Sequence, residues 1–260
     1  MWSIPLIKRL ASFLLLYSLC LIPSGQFWAA TAYVQSAKTN AEQSDALGTI
    51  ASTFGAAVGS AGAVCGAVSY HNGLGNLTSV TDNQSNTYTV VRNFDGTNQV
   101  GIGTFFALNI TNAPTVITAT YSNVSMLYRG MVIIEASGVK TSAALDQETA
   151  QWQATPGTGT DAVTSGAMTT TENGEFICGF AVVTSAFDAN NFTAGTNYTE
   201  RQETNPTLGI DLAVETRVQT TAGSIAATWT QVADRNTSTA IMTLKEATAG
   251  ATRNRLWSSN

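Results

Sequence analysis

From Tyr33 onward the chain keeps returning to one pattern: a short run of alternating apolar and polar residues, then a cluster of Asn, Asp, Gly or Ser. Ile210, Leu212, Val214 and Val218 alternate with Asp211, Ala213, Glu215 and Arg217. Ala240, Met242 and Leu244 alternate with Ile241, Thr243 and Lys245 in the same way. A period of two places successive side chains on opposite faces of a strand. Residues 63–69, 131–136 and 176–183 are apolar at both parities, the pattern of central strands covered on both sides. Turn chemistry separates the runs: Asp82-Asn83-Gln84-Ser85-Asn86, Asn72-Gly73, Asp95-Gly96, Pro156-Gly157 and Asn173-Gly174. Only 40–47 and 141–151 have room for a short helical turn. The spacing predicts about twelve strands, give or take one, near 33–38, 49–54, 62–70, 76–81, 86–92, 99–107, 115–121, 128–136, 163–170, 175–184, 209–219, 225–232 and 238–245. The fold class is all-β, a single antiparallel β-sandwich.

The N-terminus reads as an address. Lys8 and Arg9 precede an uncharged run over 10–22, then Pro23, and Ala30-Thr31-Ala32 offers small residues for cleavage before Tyr33. That is the anatomy of a secretory signal peptide over 1–32, and its run is too short to cross a bilayer. A secreted or cell-surface protein without membrane insertion is expected. No fixed repeat period and no linker divides the rest of the chain, so one domain is expected over 33–246. The segment 138–162, read as a crossing loop with a short strand or helix inside it, is its weakest part, and a flexible tail over 247–260 its end.

Charge narrows the chemistry further. Charged residues are 11% of the chain and the net charge is −5. Loss of Lys8 and Arg9 with the signal peptide takes it to −7, which leaves little with which to attract nucleic acid. Cys65 and Cys178, each inside a strongly apolar segment, are the candidates for a disulfide in an exported chain, free buried thiols being the alternative. A single histidine, His71, excludes multi-histidine metal sites, and no G-x-S-x-G elbow accompanies it. Asp211 and Glu215 have a spacing that puts two carboxylates on one side of a strand, yet they read as the solvated face beside Arg217. Glu172 and Glu175 flank a turn and read as solvated. Oxygen ligands alternate over Asp82, Asn83 and Asn86, a weak calcium site carrying one charge. No other cofactor or metal is indicated. Trp152, in the crossing segment, and Tyr198, in a turn, are the aromatics available for stacking on a sugar, whereas Trp229 shares a face with Ile225 and Ala227 and reads as core.

The segments AVCGAVSY, LTSVTDNQSNTYTVV, NGEFICGFAVV, FTAGTNYTERQ and TTAGSIAATWT together resemble a broad group of secreted bacterial β-sandwich domains, jelly-roll or concanavalin A-like in shape. The resemblance spans about 33–246. In that group the second segment is closer to V-T-D-x-x-G-N-T-Y, and Ser85 stands here in place of the glycine. The resemblance implies a fold and an exported surface, matrix or appendage role, and it hands over no catalytic residues. The expected function is therefore a non-enzymatic extracellular structural or adhesive module. Its partners would be further copies of itself or other surface or matrix proteins. A lectin-like glycan binder using Trp152 and Tyr198 is the alternative, and a sandwich hydrolase or lyase a distant third.

Overall fold

The strongest apolar runs become the central strands of two five-stranded antiparallel sheets that face each other. A computed structural model describes residues 29–41, 48–71, 75–96, 100–123, 128–154, 160–184, 192–204, 209–232 and 235–248. The expected signal peptide lies outside these residues apart from its last four, and the expected tail apart from its first two. Among the described residues there are eighteen strands and no helix. Every pairing between strands is antiparallel.

The first eight strands are β1 (Ala32–Ala41), β2 (Thr49–Thr53), β3 (Ala63–His71), β4 (Leu77–Asp82), β5 (Tyr88–Gly96), β6 (Val100–Ala107), β7 (Val116–Tyr121) and β8 (Arg129–Ser137). They form an inner sheet in the order β1-β8-β3-β6-β5 and an outer sheet in the order β2-β7-β4. The pairs β1 with β8, β2 with β7 and β3 with β6 are nested, as in one long hairpin rolled upon itself. Between the two sheets lies a core that includes Val64, Val68, Tyr70, Phe105, Ile117, Met131 and Ile133.

The remaining strands are β9 (Leu145–Gln153), β10 (Asp161–Thr164), β11 (Met168–Thr169), β12 (Glu175–Thr184), β13 (Phe192–Ala194), β14 (Thr199–Glu203), β15 (Ile210–Gln219), β16 (Ser224–Ile225), β17 (Thr228–Gln231) and β18 (Thr237–Leu244). They repeat the plan. The inner sheet runs β9-β18-β12-β15-β14, the outer sheet β10-β17-β13, and β11 pairs with β16 as a small addition. Reading β9, β10, β12, β13, β14, β15, β17 and β18 as counterparts of β1 to β8 reproduces both strand orders of the first half.

Register carries the correspondence down to single residues. Cys65 pairs with Phe106 and Ile134, and Phe106 with Thr89. Cys178 pairs with Thr216 and Met242, and Thr216 with Thr199. β5 is irregular between Val90 and Arg92, and β14 at the same step, between Glu200 and Gln202. The Asn93 side chain holds the Leu77 backbone at the start of β4, with Oδ1 accepting from its N–H at 2.8 Å. Its counterpart Glu203 accepts from Phe192 N–H at the start of β13, at 3.1 Å.

The two inner sheets share the largest core, with Cys65, Ile102, Phe106, Val132 and Ile134 from one and Phe176, Phe180, Leu212, Val214 and Met242 from the other. β3 lies on β12, β8 on β15, β6 on β18, β1 on β14 and β5 on β9. This pattern is unchanged when the halves are exchanged, so a pseudo-twofold axis passes between β3 and β12. Cys65 and Cys178, counterparts of each other, are bonded there.

Several expectations change. The molecule has four layers of sheet, where a single sandwich of about twelve strands was expected. Within the crossing segment, where a short strand or helix was expected, residues 145–153 form a nine-residue strand, β9, at the edge of the second inner sheet. The run 163–170 divides into β10 and β11, and 225–232 into β16 and β17. Trp229 is core, as expected, with its ring edge-on to Phe192 at 5.7 Å between centroids.

Candidate functional site

Where the edge strands β1 and β14 meet across the sandwich, a pocket of about 270 Å³ opens, lined by Tyr33, Phe176, Asn197, Thr199, Arg201, Thr216, Arg217 and Val218. Arg201 is the extra residue of the β14 bulge, a device that re-aims one side chain at a sheet edge. Its guanidinium lies 3.8 Å from the centroid of the Tyr33 ring. Its Nε donates to Thr216 Oγ1 at 2.8 Å, so the fork is held in a fixed plane. Burial pulls Arg201 down from its ordinary pKa, with Tyr33 opposing; a guanidinium stays protonated regardless. Gln202 Nε2 reaches Ser36 Oγ at 3.1 Å and clasps β14 to β1, while the Tyr33 hydroxyl meets the same oxygen at 2.9 Å within β1.

Arg217 lies over the Tyr198 ring at 5.3 Å. The Tyr198 hydroxyl donates to Ala226 O at 2.8 Å, and burial, with Glu215 nearby, raises its pKa. Among the described residues neither Arg201 nor Arg217 has a carboxylate within ion-pair distance. Register turns Thr216 and Val218 toward the shared core and Arg217, paired with Ile177, toward the outer layer. The arrangement is therefore a concave patch with one oriented guanidinium group, that of Arg201, the hydroxyls of Thr199 and Thr216 and the Asn197 side-chain amide. Its chemistry is that of a receptor for a small oxyanion.

The acids expected on a wet strand face are elsewhere. Asp211 and Glu215 are fully buried, because β13 and β17 cover that face of β15. Glu215 Oε2 accepts from Gly195 N–H at 2.9 Å and Oε1 from Thr228 N–H at 3.0 Å, and burial still pushes its pKa up to about 8. The Thr204 hydroxyl donates to Asp211 at 3.1 Å. Burial and the neighbouring Asp211 push Glu203 up to about 9. These carboxyl groups fasten an outer layer to an inner sheet. Glu175 is buried rather than solvated and accepts from Glu172 N–H at 3.0 Å. Glu172 pairs with Lys140 at 2.8 Å and with Lys245 at 3.4 Å.

Trp152 belongs to β9 and is half-buried; its ring occupies the space above Gly96, where a Cβ would stand 2.3 Å from Trp152 Cδ1. Tyr198 opens the turn into β14 with one ring face toward Arg217. The two aromatics therefore sit at opposite sheet edges. Asp82, Asn83 and Asn86 form a self-capped loop. Asp82 Oδ1 accepts from Gln84 and Asn86 N–H at 2.8 and 3.1 Å, and Oδ2 from the Asn86 amide and Tyr88 hydroxyl at 2.8 and 3.2 Å. Asn83 Oδ1 accepts from Thr115 and Val116 N–H. The oxygens that could ligate calcium are taken by the protein's own donors. Among the described residues no group of three or more His, Cys, Asp or Glu is placed to hold a metal. His71 ends β3, and its side chain lies outside the described residues.

Fold and site thus define an all-β protein of two rolled units with a cationic pocket on one edge of their shared core. No protein-family profile, curated protein or solved structure matches the chain. Arg201 and Arg217 carried no sequence signal, since the pocket needs a bulge and two strands from different sheets. The duplication did carry one: Val-Cys-Gly at 64–66 and Ile-Cys-Gly at 177–179, then Tyr-Thr at 88–89 and 198–199.

Proposed function

We propose that the protein is a non-enzymatic extracellular structural or adhesive module, made of two jelly rolls fused back to back, of the kind found in secreted bacterial β-sandwich proteins. The nested pairing of β1 with β8, β2 with β7 and β3 with β6, repeated in the second half, supports the jelly-roll reading. The observation that carries the adhesive reading is the solvent face of the first outer sheet. Up to the self-capped loop that Asp82 begins, its half-exposed and exposed residues are Thr49, Ala51 and Thr53 on β2, Val116, Thr118 and Thr120 on β7, and Thr78, Ser79 and Thr81 on β4, and none of these is charged. Rows run across the strands as Thr49, Thr120, Ser79 and as Ala51, Thr118, Thr81. Threonine is stiff at χ1, so such rows give a regular array of methyls and hydroxyls with little rotamer entropy to lose on contact. Sheet faces and edges without charge lack the usual guard against association.

Sedimentation and negative-stain imaging of the purified protein test this. Concentration-dependent, ordered assemblies are expected, and Thr118→Lys, at the centre of the face, disperses them while leaving the thermal midpoint unchanged. A wild-type protein that stays monomeric at every concentration sinks the reading.

A further inference from the structure

We propose that the pocket between β1 and β14 binds a carboxylate-bearing sugar, with Arg201 taking the carboxylate and Asn197, Thr199 and Thr216 taking ring hydroxyls. The molecule contains its own control for this assignment. By register, the counterparts of Arg201, Thr216, Arg217 and Tyr33 in the other half are Val91, Phe106, Ala107 and Leu145. Val91 and Leu145 pack against the shared core, and Phe106 is part of it. The neighbouring clasp there is the ion pair of Arg92 with Glu148, where this edge has Gln202 on Ser36. One edge of the fold is therefore sealed by apolar side chains and a neutralised arginine. The other, built on the same strands and the same bulge, carries Arg201, and no acid is among the residues lining its pocket. The fold does not demand an arginine at this step of the bulge, where its counterpart is Val91, and a half-buried guanidinium without a counter-charge costs stability unless an anion joins it.

Geometry narrows the anion. Arg201 is fixed by its bond to Thr216 and by the Tyr33 ring, which leaves a rigid fork suited to bidentate recognition of a planar carboxylate. The other polar groups are uncharged hydroxyls and an amide, complementary to sugar hydroxyls and of little use to a polyanion. A pocket of about 270 Å³ is smaller than those that hold drug-sized ligands, so it suits a single ring. The acidic balance of the chain works against general attraction of anions, which leaves selection to this local site.

Calorimetric titration of the purified, oxidised protein with glucuronate, glucose, acetate and inorganic phosphate tests the assignment. Saturable glucuronate binding is expected, little changed in Arg217→Gln, whose side chain is on the other face of β15, and weakened about tenfold or more in Arg201→Gln by loss of charge-assisted hydrogen bonds. Arg201→Lys, which keeps the charge and loses the fork, recovers only part of it. Glucose and acetate should each bind far more weakly than glucuronate, because each offers half of the recognised groups. Acetate or phosphate binding as tightly as glucuronate overturns the sugar part and leaves a plain anion site. No saturable binding to the wild type, or binding unaffected in Arg201→Gln, overturns the site altogether. Because the wild type answers first, a poorly folding Arg201→Gln does not spare the proposal.

Discussion

Glu203 and Glu215 show what a carboxyl group costs when it serves as a fastener. Each accepts a backbone N–H from an outer strand or turn, and each is held where its charged form is poorly solvated. Burial is the larger influence at both, so their folded-state values, about 9 and about 8, stand above the 4.5 of an exposed glutamate. Asp211 and Glu200 push Glu203 the same way, while Arg217 pulls Glu215 back. For acids raised in this way the folded state holds the proton longer than the unfolded chain does. Their contribution is complete below about pH 4.5 and is lost as pH rises toward 8 and 9. Asp146 acts oppositely. Burial works against its charge, but the Thr171 hydroxyl and amide and Lys245 hold it down to about 2, so its contribution fades as pH falls below 3.8. Urea midpoints should therefore peak between about pH 4 and 5 and decline into the alkaline range. A midpoint that climbs from pH 5 to 8 would show these carboxyls to be ionised in the fold. Glu215→Gln should flatten part of the alkaline decline while lowering the midpoint throughout, since its amide nitrogen must meet a backbone N–H.

At the scale of the element, apolar runs were easy to read and their covering was not. Residues 63–71, 129–137 and 175–184 are central strands, as their two-sided apolarity requires. The alternation over 210–219 marked a strand correctly and its environment wrongly: Asp211 and Glu215 look outward only until an outer sheet lies over them, and nothing local to β15 announces that sheet. β9 is only half legible in the sequence, where a short strand and a helix stood as alternatives, because LDQETAQWQ has neither alternation nor β-branched residues in number, as an edge strand clasped by one ion pair can tolerate. β14, source of half the pocket, is five residues long and polar. The layered stack does leave one mark in the sequence, a glycine after each paired cysteine. A Cβ at Gly66 would meet Phe105 Cζ at 2.5 Å and Val132 O at 2.6 Å, and one at Gly179 would meet Ala227 Cβ at 2.6 Å and Glu215 Cγ at 2.9 Å. Either Gly→Ala change forces side chain or backbone aside and should cost about 1–3 kcal/mol. Gly55→Ala, with nothing within 4 Å of the new Cβ, is the control. Thermal midpoints that drop for Gly66→Ala and Gly179→Ala and hold for Gly55→Ala bear this out; an unchanged Gly179→Ala would mean that the outer sheet is not seated where described.

The whole molecule is best understood as a homodimer-like assembly carried on one chain. In a twofold dimer each subunit contributes the same patch, so contacts come in reciprocal pairs and the axis passes through a self-pairing element. The pairing of β1 with β14 and of β5 with β9, each the exchange of the other, has that form, and β3 against β12 is the self-pairing element. The halves differ at their edges, one sealed by Arg92 and Glu148 and the other open at Arg201. Each half alone would bare an apolar sheet: Ala63, Cys65, Ala67, Val132, Ile134 and Ala136 on one side, Phe176, Cys178, Phe180, Leu212, Val214 and Met242 on the other. A contiguous face of that kind does not stay in water as a monomer. Residues 29–139 expressed alone should therefore aggregate or form a dimer through its own β3, with Cys65 joined to Cys65. Co-expressed with residues 140–248, it should form a complex that elutes as the intact protein does and runs as one disulfide-linked band without reductant. Reducing that complex should release only the restraint of the cross-link, worth about 2–5 kcal/mol, so the shared core should keep the two fragments together at moderate concentration. Fragments that fold as separate, soluble monomers would show that the facing sheets are neighbours on a chain and not the two sides of one interface.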